Sequence, residues 1–328
     1  MITLDKILIV APIWCITILK DDAFTKHTTG GVLTTSTFSQ DEPYYLSIRI
    51  NHSENKVVLT FTGKVLLDDY PKLISKETIH KCFSNIEGLG VCRLDVDKIF
   101  SDGVVDLIDV TKDIPIADCK KTNEYLRTHI RNHKKYIAEY RGKNLVIDHP
   151  VKTKEYRRRL SVYDKYNELQ MEGNTDFLCH LKDRDALLEY FQGRVRFEMN
   201  LYSAKAIRKR LGITDVSIMS VLNSEINPIT DFIEDVIVED DSCPFCSSIQ
   251  ERKNLAFLRD CNMDIQRVEG ELRQYCSKGT HIAQAIRPYR ILLEKIRSKG
   301  GESIKMKKGL ISALLLEIFL VFLPFPFV

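Results

Sequence analysis

The chain has 328 residues, of which 44% are hydrophobic and 28% charged, a balance that excludes a disordered tail and leaves length for two modest domains. Its 48 Lys and Arg stand against 45 Asp and Glu, a net charge of +3, so bulk charge announces no nucleic-acid ligand and any such ligand must be read from charge placement. Nine cysteines, at 15, 82, 92, 119, 179, 243, 246, 261 and 276, form an odd set without framework spacing, as suits reduced thiols in a cytoplasm.

Residues 7–19 are mostly apolar, but Asp5 and Lys6 precede them, Pro12 interrupts them and no small-residue cleavage site follows. They read as buried strands rather than a signal peptide. Leu46, Ile48 and Ile50 alternate with polar residues, as do Val57, Leu59 and Phe61 with Val58, Thr60 and Thr62, which predicts two strands. Pro71–Leu89 carries helical spacing and stops at Gly88 and Gly90. In Cys92–Phe100, Arg93, Asp95 and Asp97 share one face of a predicted strand, with Cys92, Leu94 and Val96 on the other.

From Cys119 to Leu160 there are thirteen Lys and Arg against four acids, a local balance of +9. This run includes Lys134, Lys135, Arg157, Arg158 and Arg159, with Tyr125, Tyr136, Tyr140 and Tyr156 interleaved. Cations beside aromatics suit single-stranded DNA, whose bases stack while its phosphates are tracked; a solvated helix is the plainer reading. His129 and His133, four apart in the same run, read as solvated rather than as metal ligands.

Two further alternating segments follow. Arg159–Lys165 as a strand puts Arg159, Ser161, Tyr163 and Lys165 together, and Arg194–Leu201 puts Arg194, Arg196, Glu198 and Asn200 together. An antiparallel sheet with one face on helices and one toward solvent produces such alternation by itself. The contents are less ordinary: carboxylates, arginines, a phenol and a lysine on one face would hold a divalent cation against a phosphodiester beside an oxygen nucleophile. A phenol titrates near pH 10, so its attack on phosphorus needs nearby positive charge or a base. Lys165 would supply that charge or protonate the leaving oxygen.

Beyond residue 203 strand signals fade. Helices are predicted at Ala204–Leu211, Ile229–Val236, Ile249–Arg259, Met263–Tyr275 and Ile282–Arg297. The last two, across a glycine-bearing turn, would make either a packed helix pair or a helix-turn-helix. Cys243-Pro-Phe-Cys246 has zinc-knuckle spacing, which Cys261, Cys276 and His281 would complete, although cysteines on helices are commonly buried as small hydrophobes. After the basic stretch Lys305–Lys308, residues 309–328 are long and apolar enough to span a bilayer core of roughly 30 Å. Glu317, Pro324 and Pro326 oppose that reading, leaving a membrane segment, a core helix or an anomalous frame end.

The stretches CRLDVD (Cys92–Asp97), RRRLSVYDKYNEL (Arg157–Leu169) and GRVRFEMNL (Gly193–Leu201), in this order, resemble the filamentous-phage gene II/X type of rolling-circle replication initiator and its plasmid-borne relatives. The likeness covers roughly residues 40–210. It implies an α+β fold, an antiparallel sheet with helices on one face as in rolling-circle nucleases, here followed by a helical carboxy-terminal module. The corresponding divisions are a catalytic nicking-closing domain over 1–210, a helical, DNA-binding module over 211–304, and a basic-then-hydrophobic tail over 305–328.

The resemblance also implies a chemistry. A tyrosine cleaves one strand of single-stranded or locally melted origin DNA, stays on the 5′-phosphate, frees a 3′-OH primer and later rejoins the strand. Host helicase and polymerase are the implied partners and the cytoplasm of a bacterial host the implied location; membrane association through 309–328 is an expectation from that stretch's composition alone. Residue by residue, Tyr163 becomes the nucleophile, with Tyr166 the alternative, and Lys165 its accessory. Asp95, Glu198 and Glu168 become ligands of Mg2+ or Mn2+. From the charge placement itself, Arg93, Arg157, Arg158, Arg159, Arg194, Arg196, Lys134 and Lys135 are the expected DNA contacts. None of the eight histidines forms the His-hydrophobe-His pair of the wider superfamily, so the expected metal site is acidic. A DNA-binding protein without catalysis, tethered by its tail, is the rival expectation.

Overall fold

The computed structural model describes residues 2–116, 118–131, 135–151, 157–237, 246, 248–261, 264–275 and 279–303. They fall into two compact units, the first ending at Ile237 and the second lying within 238–320. The hydrophobic tail, residues 305–328, lies outside the described residues, among which no helix is long and apolar enough to cross a membrane.

In the first unit the strands are β1 (Leu4–Pro12), β2 (Ile16–Ile18), β3 (Thr25–Thr29), β4 (Val32–Gln40), β5 (Leu46–Asn51), β6 (Lys56–Thr62), β7 (Cys92–Leu94), β8 (Val104–Pro115), β9 (Ile137–Arg141), β10 (Asn144–His149), β11 (Arg158–Asp164) and β12 (Arg194–Leu201). Ten of them make one sheet in the order β3-β4-β5-β6-β1-β8-β12-β11-β10-β9, with every pairing antiparallel. Alternation explains the pairing of β5 and β6: Leu46, Ile48 and Ile50 oppose Phe61, Leu59 and Val57, and all six are buried, so a slip of one residue would expose the set.

The helices are α1 (Ile79–Glu87), α2 (Val96–Asp102), α3 (Cys119–Thr128), α4 (Lys165–Leu169), α5 (Thr175–Cys179), α6 (Arg184–Phe191), α7 (Ala204–Leu211), α8 (Ile218–Leu222) and α9 (Pro228–Val236). The mixed α+β architecture with a large antiparallel sheet is as expected, but the helices are not confined to one face. Tyr190 and Phe191 of α6 lie against Arg194 and Arg196 of β12, whereas Phe232 of α9 lies against Arg158, on the opposite face. The face carrying Arg196 is therefore covered rather than open to water.

Three boundaries differ from the sequence reading. The helix expected over Pro71–Leu89 is confined to Ile79–Glu87, because a 3-10 segment, Gly63–Lys72, precedes it and Ile74 bridges to Leu4. The strand expected over Cys92–Phe100 stops at Leu94: Asp95 accepts a hydrogen bond from the Lys98 N–H and starts α2 instead, a cap that satisfies an otherwise orphaned donor. The unit carrying the sheet extends beyond residue 210, since α7, α8 and α9 pack on β8 and α9 also on β12.

In the second unit α10 (Ile249–Asp260), α11 (Ile265–Arg273) and α12 (Gly279–Ser303) share a core of Leu255, Leu258, Val268, Ile286 and Leu292. Cys246 and Cys261 are buried in that core. Cys243 and Cys276 lie outside the described residues, and with them the zinc set suggested by spacing.

Candidate functional site

The site is built on three central strands. In the register of β11, β12 and β8, Tyr163 opposes Arg196, which opposes Asp113; Ser161 opposes Glu198, which opposes Thr111; and Asn200 opposes Asp109. Directly opposed residues share a face, so one face collects Tyr163, Arg196, Glu198, Asn200, Asp109 and Asp113. A further acid arrives from β1, where a bulge between Leu4 and Lys6 inserts Asp5. Bulges re-aim side chains, and Asp5 meets the Arg196 guanidinium at 3.0 Å.

Arg196 organises this face. Fully buried, it forks onto Asp113 with two bonds of 2.7 Å and donates to the Tyr70 hydroxyl at 2.6 Å. Tyr70 in turn donates to Asp5 at 2.8 Å. Tyr70 comes from the segment Gly63–Lys72, which closes over the sheet because position 63 has no side chain: a Cβ there would lie 3.2 Å from the Tyr70 ring and 3.3 Å from Asp5 Oδ1. An apolar layer of Tyr70, Leu73, Leu169, Phe177, Leu187 and Phe191 completes the cover.

Tyr163 is 9% exposed and donates its hydroxyl hydrogen to Glu198 at 2.9 Å. Lys165, 2% exposed, pairs with Glu168 at 2.5 Å, and its ammonium lies 5.8 Å from the Tyr163 ring centre and 5.3 Å from that of Tyr70. Asp164 fixes this geometry by capping α4, accepting from the Asn167 N–H at 2.9 Å, so that Lys165 and Glu168 fall one helical turn apart on the covered side. The alternative nucleophile Tyr166 packs instead against the apolar layer.

Among the described residues this face gathers Lys64, Lys165 and Arg196 with Asp5, Asp109, Asp113, Glu168 and Glu198. Burial disfavours the ionised form of a carboxylate and a nearby cation restores it; beside Asp109 the cation is Lys6. Burial pushes Asp109 up to about 7, reinforced by the negative field of Glu198. Glu198 is raised by burial and then by Asp5. Burial is also the largest influence on Asp5 and Glu168, but Arg196, Lys165, the Tyr70 hydroxyl and Lys64 together outweigh it at the first, and Lys165 with Lys64 at the second, holding both below the usual carboxylate range. Asp109 and Glu198, both bonded to the Asn200 amide at 2.6 and 3.3 Å, are thus the two acids whose affinity for a proton is raised. The Tyr163 phenol is pushed well above its ordinary value by burial and by Glu198.

Several expected roles change. Asp95 is not in this site: α2 packs on β1, with Gly103 against Ile9, and Ile9 shares the face of Ile7, Ile108 and Leu201, opposite Glu198. There Asp95 pairs with Lys98 at 2.7 Å. The expected Mg2+ or Mn2+ set of Asp95, Glu198 and Glu168 therefore does not assemble, Glu168 being bound to Lys165. Among the described residues no three His, Cys, Asp or Glu side chains converge as a metal site.

The basic track is also thinner than its sum. Arg196 is a buried structural cation rather than a DNA contact. Arg158, 8% exposed, binds Asp235 and donates to Tyr136 at 2.9 Å. Arg157 forks onto Asp148 at 3.1 and 2.5 Å, and Arg127 pairs with Glu124. Arg194 covers the Tyr190 ring at 4.4 Å, and Arg159 is half-buried. Arg93, on β7 against β2, and Lys135 remain exposed; Lys134 and His133 lie outside the described residues. His129 is not solvated but 2% exposed, stacked 3.9 Å from Tyr125. Asp5, Tyr70, Asp109 and Asp113 went unrecognised in the sequence, though Asp109, Thr111 and Asp113 alternate along β8 as Glu198 and Arg196 do along β12. No known family model matches the chain, and no curated protein is significantly similar to it.

Proposed function

We propose that this chain cleaves and rejoins one DNA strand as a rolling-circle replication initiator of the gene II/X type does, with Tyr163 as nucleophile. The observation that carries the reading is the 2.9 Å hydrogen bond from the Tyr163 hydroxyl to Glu198, with Lys165 beside the same ring. A phenol needs an acceptor for its proton, and Glu198, whose affinity for protons is raised by burial and Asp5, is a stronger base than an ordinary carboxylate. The Oη–P bond forms as the P–O3′ bond breaks; the phenolic proton passes to Glu198, and Lys165 protonates the departing 3′ oxygen. The products are a 5′-phosphotyrosyl link and a 3′-OH primer, and the reverse sequence reseals the strand.

A Tyr163→Phe variant tests this. It loses the covalent protein–DNA adduct on single-stranded origin candidates while retaining DNA binding, and a phosphotyrosyl peptide maps to residues 159–169 of the unmodified chain. Cleavage run in parallel with Mg2+, Mn2+ and a chelator decides whether a cation takes part. One observation favours a second reading, a DNA-binding protein without catalysis: the Tyr163 side chain is buried, at 9% exposure. An adduct that survives Tyr163→Phe moves the nucleophile to Tyr166, and the absence of an adduct with any candidate strand supports the second reading instead.

A further inference from the structure

A cleft of about 760 Å3 opens between α3, the turn joining β9 to β10, and α4. Four carboxylates line it, yet each is already engaged. Asp118 caps α3 and pairs with Lys121, Glu124 holds Arg127 and the Tyr140 hydroxyl, Asp164 caps α4, and Glu168 holds Lys165. Lys120 and Lys143 also line the cleft and make no ion pair among the described residues. The cleft therefore offers positive charge at its rim although its composition is acidic.

Two further side chains suit a flat, hydrogen-bonding ligand. Tyr140, 43% exposed, presents an aromatic ring that Arg127 covers at 5.7 Å. Asn123 is 1% exposed and lines the cleft; its Nδ2 donates to the Val162 carbonyl at 3.4 Å, while its Oδ1 has no partner. An unpaired buried amide oxygen costs free energy that a ligand N–H would recover. A ring to stack on, an amide acceptor and free cations together fit a nucleobase with its phosphate.

We propose that this cleft holds one unpaired nucleotide of the strand on which Tyr163 acts. The proposal rests on the strand-cleavage reading above for the identity of that strand, and on the cleft for the nucleotide. Glu168 links the two places, lining the cleft and binding Lys165, whose ammonium faces the Tyr163 ring. A nucleotide seated there anchors the strand one ion pair away from the phenol.

The test is calorimetric titration of the full chain with deoxycytidine and deoxyadenosine 5′-monophosphates, with inorganic phosphate as control. Both nucleotides bind saturably and phosphate alone does not. Tyr140→Ala and Lys143→Glu, at exposed positions of one hairpin, each weaken binding about ten-fold, the scale of losing one stacked base, with the melting temperature unchanged. Asn123→Leu weakens it similarly if folded, and unchanged affinity in that variant removes the base-edge contact. Absence of saturable binding, equal binding by phosphate, or indifference to both Tyr140→Ala and Lys143→Glu overturns the pocket, as does loss of nucleotide binding in Tyr163→Phe. Nucleotide binding without any covalent adduct overturns the cleavage reading and leaves the pocket standing.

Discussion

Replacing Asp109 with Asn perturbs the charge imbalance at the centre of the sheet. In the unfolded chain an Asp carboxyl titrates near 3.8, whereas burial and Glu198 push Asp109 up to about 7 in the folded protein. The folded state holds this proton more tightly, so ionisation opposes folding. The group costs nothing below about pH 4, erodes stability as pH rises between 4 and 7, and exerts its full cost above 7. A shift from 3.8 to about 7 corresponds to about 4 kcal/mol. Asn removes the ionisation and keeps an oxygen for the Asn200 amide, which now donates to Asp109 at 2.6 Å. Thermal unfolding followed by circular dichroism, in chelator from pH 4 to 8.5, should show Asp109→Asn within a degree or two of the parent at pH 4. At pH 8 it should melt about 8–16 °C higher, as that energy implies for a unit of this size. Equal shifts at both pH values, or a variant less stable at pH 8, would refute the argument that Asp109 is a surplus carboxylate.

Glu198→Gln removes the proton acceptor of Tyr163 and should lower the rate of adduct formation by about 10²–10⁴-fold in single-turnover assays, with DNA affinity unchanged; an unaltered rate would discard Glu198 as base. Arg196→Leu strands Asp113 and Asp5 without their cation and should cost about 3–5 kcal/mol in denaturant unfolding, whereas Arg158→Leu should cost less, because its partner Asp235 is 53% exposed and rehydrates. Gly63→Val brings branched carbon against the Tyr70 ring and Asp5, and it should lower the melting temperature at neutral pH while leaving secondary structure intact. Binding to single-stranded DNA should weaken steeply with salt, and Arg93→Ala, at an exposed position, should reduce the log–log slope by about one; an unchanged slope would take Arg93 out of the DNA path.

The sheet was legible wherever side chains alternate. Arg194–Leu201 and Arg158–Asp164 are strands because period two separates Arg196 and Glu198 from Val195, Phe197 and Met199, and Tyr163 from Leu160 and Val162. The same reasoning misassigned Asp95, since an Asp after a short strand reads equally as one more alternating residue or as a helix cap. Only the Lys98 N–H beneath its carboxylate distinguishes the two. The +9 of residues 119–160 was a true count but a poor guide to free charge, because Asp148, Asp235 and Glu124 come back onto Arg157, Arg158 and Arg127.

The sequence by itself determined which residues share a face, because Cα geometry forces neighbouring side chains on a strand to opposite sides whatever surrounds them. It thereby joined Arg196 to Glu198 on one strand and set Tyr163 with Ser161 on another. Tertiary structure decided which strands lie side by side, and so made Asp109 and Asp113 rather than Asp95 their acidic company. It also decided whether that face meets water. The bulge at Asp5, the turn at Gly63 and the rings of Tyr70 and Phe191 close over it, and burial converts a row of ordinary polar side chains into a coupled set that holds protons near neutrality. Dielectric environment is a property of the packed whole, and alternation along one strand carries no record of it.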